Sequence, residues 1–171
     1  NPPLRDIAAR FAARGYAVLL VDAFWRLERN VSLDYDKAGS EKARALHGRY
    51  DYDQGVVDML SAVEFLRAQP GCNGSVAIVG FCFGGTLAYL AASRGKPDAA
   101  VSYYATRIQG YLEDAPKVHR PLLLHFAELD HTTPPEVLAT ILAATRKNAA
   151  VTSHVYAGEK HGFANHRLPV Y

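Results

Sequence analysis

The stretch "SVAIVGFCFGGTLAYLAAS", residues 75–93, decides the fold. It opens as a short run rich in β-branched residues and closes as a longer run of small and apolar residues with helical character. Between them stands "GFCFGG", residues 80–85, a junction of the form G-x-C-x-G-G. That is the form of a nucleophile elbow with cysteine in the usual serine position. Glycines flanking so sharp a turn avoid the clashes that side chains would make. The turn projects the Cys82 sulfur above the strand end, at the positive end of the following helix, where an anion is favoured. The Phe83 backbone N–H then faces the oxyanion that develops as a thiolate attacks a carbonyl. The competing reading is an inert, packed Cys82, since free cysteines are often buried. "GFCFGG" does not match G-x-G-x-x-G, which argues against a dinucleotide site.

Working outward, apolar runs alternate with helical segments. Pro2 and Pro3 open a helix with Leu4, Ile7, Ala8 and Phe11 on one face, and Gly15 ends it. "YAVLLVD", 16–22, is an apolar run too short for a buried helix and predicts a parallel-sheet strand. Residues 23–50 read as a long excursion off the sheet edge with one short helical stretch. An amphipathic helix follows over 51–70 through Val56, Met59, Leu60, Val63 and Leu66. After the elbow, strands are predicted in "DAAVSYYA", "RPLLLHFAE" and "AVTSHVYAG", with helices over 83–95 and 134–148 and a turn-rich loop before residue 120. Runs at βαβ spacing predict an α/β fold of three layers around a mostly parallel central sheet. Ligands of such sheets bind beyond the carboxyl ends of the strands.

Composition narrows the function. With 171 residues and 49% hydrophobic content, the chain suits one core, so residues 1–171 read as a single domain. The net charge is only +2, and the basic residues are scattered, which argues against a nucleic-acid partner. Cys72 and Cys82 are too few for a disulfide framework. No apolar run is long enough to span a membrane, and no secretory leader is recognisable, so a cytoplasmic setting is expected. Both ends look abrupt, one starting almost inside a helix and the other stopping without one. The expectation is a partial domain, incomplete at both ends.

An elbow cysteine needs a base, and the base needs an orienting acid. Asp130 lies in "ELDHTTPPE", just past one predicted strand, and His161 lies in "AGEKHGF", just past another. Nucleophile, acid and histidine thus fall on one edge of a parallel sheet, in the chain order of the α/β-hydrolase triad. Glu128 is a rival orienter and His131 a rival base. His125 and His154 sit inside apolar strands and read as satisfied core or sheet-flank histidines, His166 as a rim residue and His119 as solvent-facing. No metal is expected, because the same three positions satisfy a triad.

At this point the chain resembles the dienelactone hydrolase (carboxymethylenebutenolidase) family of α/β-hydrolases. The resemblance rests on "RDIAARFAARGYAVLLVDAFWR", "YDYDQGVVDMLSAVEFLR", "VAIVGFCFGG", "LLLHFAELD" and "YAGEKHGFAN", in family order along nearly the whole chain. It implies a catalytic Cys82, Asp130 and His161, no cofactor, and opening of a dienelactone to maleylacetate in the breakdown of chlorinated aromatics. It also implies further strands before residue 1, one of them central between "YAVLLVD" and "SVAIVG". A second oxyanion donor and a glutamate would follow that strand, and a final helix would close the domain. The family's substrate-holding arginines correspond loosely to Arg44 and to Asn165, with Arg167 two positions on. Trp25, Phe24, Tyr35 and Tyr52 are candidate pocket walls, or ordinary packing under the excursion.

The expected partner is therefore a small-molecule lactone or ester, with the protein a monomer or weak homo-oligomer. A broader thiol-dependent carboxylesterase or thioesterase on the same fold is the alternative. A non-catalytic α/β binding or assembly module is the alternative of a different class, and inertness of Cys82 would favour it.

Overall fold

The computed structural model describes residues 2–33 and 36–165. The chain divides into two compact units, Asn1–Asp58 and Met59–Tyr171.

In the first unit, α1 (Pro2–Ala12) ends before Gly15. Helix α2 (Lys37–Gly48) is capped by Asp36, whose carboxylate accepts the Gly39 N–H at 2.7 Å. Helix α3 (Tyr52–Arg67) begins here and continues past the boundary between units. The Asp58 carboxylate accepts the Arg26 Nε–H and Nη2–H, each at 2.8 Å, and the Trp25 indole N–H at 3.0 Å.

The segment 16–22 corrects the sequence expectation. It is not a strand, and Tyr16, Val18, Leu19, Leu20 and Val21 are between 37% and 63% exposed. A strand exists only through a ladder of hydrogen bonds to a neighbour. Among the described residues this segment pairs with none, so its apolar character has nothing to organise it.

The second unit holds a four-stranded parallel sheet in the order β1-β2-β3-β4: Ala77–Phe81, Ala99–Tyr103, Leu122–Ala127 and Val151–Tyr156. Four of the five predicted strands are thus present, flanked by α4 (Phe83–Arg94) and α5 (Pro135–Thr145). The sequence of α4 carries no charge before Arg94, and Gly85 through Ser93 are all buried. A helix apolar all round has no face for water, so it packs centrally. In α5, Leu138, Ile141 and Thr145 are the buried residues, the spacing of one helical face. The predicted loop before β3 contains a 3₁₀ segment, Ile108–Lys117. Its buried Asp114 is ion-paired to Arg94 at 2.6 Å, which ties the segment to α4.

Small residues let α4 approach the sheet. A Cβ on Gly80 would lie 1.9 Å from the Gly84 carbonyl oxygen, and one on Gly85 would lie 2.8 Å from the Tyr103 oxygen. Ser102 donates to the Gly85 carbonyl at 2.9 Å. Neighbouring Tyr103 points to the opposite sheet face. There Phe81, Tyr103, His125 and His154, register partners on successive strands, stack in a ladder with ring centroids 5.1, 4.4 and 5.6 Å apart.

Candidate active site

Three strand ends converge. Cys82 sits between β1 and α4 with φ 54° and ψ −121°, a conformation rare for a residue with a side chain. Its strain, of the order of 1–3 kcal/mol, is held by the surroundings. The Cys82 N–H donates to the Tyr103 carbonyl at 3.0 Å, and its own carbonyl accepts the Gly85 N–H at 2.9 Å. The turn is thereby fastened to β2 on one side and to the first turn of α4 on the other. Phe83 opens α4.

His161 follows β4, and Asp130 follows β3. The His161 Nε2 stands 3.2 Å from Cys82 Sγ, and Nδ1 stands 2.8 Å from Asp130 Oδ2. The His161 and Asp130 side chains are 18% and 2% exposed. The histidine loop is anchored by Phe163, whose ring packs on Tyr104 at 5.4 Å and Tyr156 at 4.9 Å. Tyr104 also meets the His161 ring edge-on at 5.0 Å, from a backbone with φ 38°.

The electrostatics suit proton transfer. Burial disfavours charge on His161, but hydrogen bonds to Asp130 and to Cys82 outweigh it and push its pKa up to about 9. Burial likewise opposes ionisation of Asp130. Hydrogen bonds from His161 and Thr132 prevail and hold the carboxyl below its ordinary range.

Thr132 is the residue that sequence reasoning missed. Its N–H and its hydroxyl both donate to Asp130 Oδ1, at 2.8 and 2.7 Å, and the hydroxyl oxygen lies 3.2 Å from His161 Nδ1. A threonine two residues after an aspartate is a local turn pattern that could have flagged it.

The rival residues are engaged otherwise. Glu128 accepts the Gly158 N–H at 2.7 Å, and His131 is exposed, with its ring set edge-on to His161 at 5.7 Å. His125 is buried, as expected for a packed histidine. Its Nδ1 meets the Tyr156 hydroxyl at 2.9 Å, but its Nε2 has no hydrogen-bond partner. Burial, and after it the neighbouring His154, lower the His125 pKa.

The candidate substrate residues are less concentrated. Trp25, Arg44 and Tyr52 belong to the first unit. There Arg26 lies over the Trp25 ring at 4.4 Å, Arg44 is exposed, and the buried Tyr52 meets His47 Nε2 through its hydroxyl at 2.7 Å. Asn165 is buried in the second unit, and its N–H closes a turn onto the Gly162 carbonyl at 2.7 Å. Arg167, Tyr35 and His166 lie outside the described residues.

Known proteins resemble this chain along most of its length. The model of the "dienelactone hydrolase family" matches residues 2–171. The chain is 33% identical over 165 residues to a carboxymethylenebutenolidase of Pseudomonas putida, covering 96% of this chain and 70% of that protein. It is also 33% identical over 171 residues to a carboxymethylenebutenolidase of Pseudomonas sp. strain P51, covering 99% of this chain and 71% of that one. A solved structure of dienelactone hydrolase type from Klebsiella pneumoniae subsp. pneumoniae superposes with a TM-score of 0.85 at 22% identity, covering 100% of this chain and 74% of that one. That likeness bears out the α/β-hydrolase fold.

Proposed function

The chain belongs to the dienelactone hydrolase family, and on that footing we propose that it hydrolyses a lactone or small carboxylic ester through an acyl-enzyme on Cys82. Hydrolysis of esters or lactones is the activity its relatives carry. The observation that supports the covalent route is the unbroken contact from Cys82 Sγ through His161 to Asp130, at 3.2 and 2.8 Å.

The thiolate attacks the carbonyl carbon, and the Phe83 N–H stabilises the tetrahedral oxyanion. Collapse breaks the C–O bond and leaves a thioester. His161 gives its proton to the departing oxygen. With the thiolate consumed, one of the influences that raised the His161 pKa is gone, and the neutral imidazole becomes the base that activates water. Water attack breaks the C–S bond, releases the acid and returns the proton to His161. A thiolate is itself a good leaving group, so the route suits substrates whose oxygen departs as a stabilised enolate. Ring-opening of a dienelactone has that property.

Within this reading the substrate is an acidic lactone. One residue favours the broader thiol-dependent esterase instead. Asn165 stands where the family resemblance puts an arginine, and it is buried, which suits a neutral ester. The family match running through both units supports one domain. No helix among the described residues is long and apolar enough to cross a membrane. We further place the protein in the cytoplasm, as a monomer or weak homo-oligomer.

Rapid-quench intact mass spectrometry tests the route, with His161→Ala slowing deacylation. An acyl adduct on Cys82 from dienelactone is the expected result. An adduct from a neutral aryl ester alone keeps the mechanism and discards the acidic lactone. No adduct and no turnover with either substrate would overturn the reading.

A further inference from the structure

We propose that Thr132 is a positioning residue that locks His161 in the tautomer needed for proton exchange with Cys82. The inference rests on the cysteine-hydrolase reading above and extends it to a residue outside the triad.

The argument counts hydrogens. An imidazole that is to exchange a proton with sulfur through Nε2 must, when neutral, carry its hydrogen on Nδ1. What faces Nδ1 decides this. Asp130 Oδ2 is one neighbour, at 2.8 Å, and the carboxylate is ionised, so it only accepts. Thr132 Oγ1 is the other, at 3.2 Å. A hydroxyl has one hydrogen, and that of Thr132 is directed to Asp130 Oδ1 at 2.7 Å. The hydroxyl therefore turns a lone pair toward Nδ1. Two acceptors converge on this nitrogen, and placing its hydrogen on Nε2 would set three lone pairs against one another.

Thr132 also fixes the carboxylate. Its N–H and hydroxyl together hold Oδ1, leaving Oδ2 to the imidazole. Without the hydroxyl, the backbone N–H alone resists rotation of the carboxylate about its last torsion. The threonine side chain is half-buried on the loop after β3, so replacing its hydroxyl leaves the core untouched.

The test uses three variants and two readouts. Thr132→Val, isosteric without the hydroxyl, is expected to lower kcat about 10- to 100-fold, the scale of misplacing a catalytic group. KM should stay within about twofold, because binding is not what is lost. Thr132→Ser restores the hydroxyl and should return kcat to within about threefold of wild type. Should the valine variant fail to fold, Thr132→Ala carries the same comparison.

The second readout is nitrogen-15 NMR of labelled histidine, with each residue-132 form carried on a Cys82→Ser background so that no thiolate faces Nε2, at a pH well above about 9 so that His161 is neutral. The forms with Thr132 and Thr132→Ser are expected in the Nδ1–H tautomer, and Thr132→Val in a mixture with the Nε2–H form. A valine variant with wild-type kcat and an unmixed tautomer would overturn the proposal. So would a serine variant as slow as valine, since packing of the methyl would then be responsible. Cys82→Ala and His161→Gln are run alongside. If either retains full turnover, the cysteine-hydrolase reading itself has failed. If both are inactive while valine equals wild type, the role of Thr132 alone is refuted.

Discussion

Two apolar runs of similar length meet opposite fates. In "YAVLLVD", 16–22, Leu19 and Leu20 are 39% and 46% exposed, while in "PLLLHFA", 121–127, Leu122 and Leu124 are 2% and 0% exposed. Propensity does not separate them, since both are rich in residues that suit strands or cores. Neighbours do. Strand β3 lies between β2 and β4, so both of its edges have hydrogen-bond partners. The earlier run has no ladder among the described residues. Burying a backbone polar group without a partner costs about 1–3 kcal/mol, which cancels much of the gain from a buried side chain. Apolar content invites a strand, and pairing decides whether one forms.

The largest expected effect lies at the far end of the paired run, where β3 delivers Asp130. Asp130→Asn should lower kcat about 10³- to 10⁴-fold by releasing the His161 tautomer, the scale seen when a triad acid is neutralised. Steady-state assays with an aryl ester check this. Loss of less than tenfold would mean that the strand end contributes little to the chemistry.

Within the run itself, Leu124→Ala should destabilise the protein by about 3 kcal/mol through a lost core contact and the cavity left behind. Urea unfolding followed by circular dichroism measures it.

Stability should also depend on pH through His161. Its folded pKa of about 9 lies above the ordinary value of 6.5, so the folded state binds this proton more tightly. The stabilisation is fully present below about pH 6.5 and is lost as pH rises through about 9, with a slope of up to about 1.4 kcal/mol per pH unit. His161→Gln should flatten that slope in urea titrations. A slope unchanged by the substitution would assign it elsewhere.

The smallest effect belongs to the unpaired run. Leu20→Ala should change stability by less than about 0.5 kcal/mol. A cost near that of Leu124→Ala would break the comparison, because it would show Leu20 buried in solution.

Much of this was legible in the sequence. The elbow was readable because its glycines answer to a local steric demand, visible in the 1.9 Å clash that a Gly80 side chain would meet. Asp130 and His161 were readable because each follows an apolar run whose period and length mark a strand. The run at 16–22 forms no strand among the described residues because pairing is a nonlocal property that no window of residues contains. Thr132 was overlooked for another reason: a threonine beside an aspartate is common in turns, and its importance comes from the imidazole that arrives from residue 161. The ring ladder was equally hidden, since registers between β1, β2, β3 and β4 align residues far apart in the chain.

The contact between Trp25 and Asp58 has an optical consequence. Trp25 is the protein's one tryptophan, its indole N–H held by the Asp58 carboxylate and its ring covered by Arg26. Red-edge excitation, where tyrosines are dark, therefore watches the first unit and is blind to the one that carries Cys82. Emission tracks the fate of a single hydrogen bond there, while ellipticity averages over every helix. A melt followed by both signals would reveal directly whether the two units come apart together.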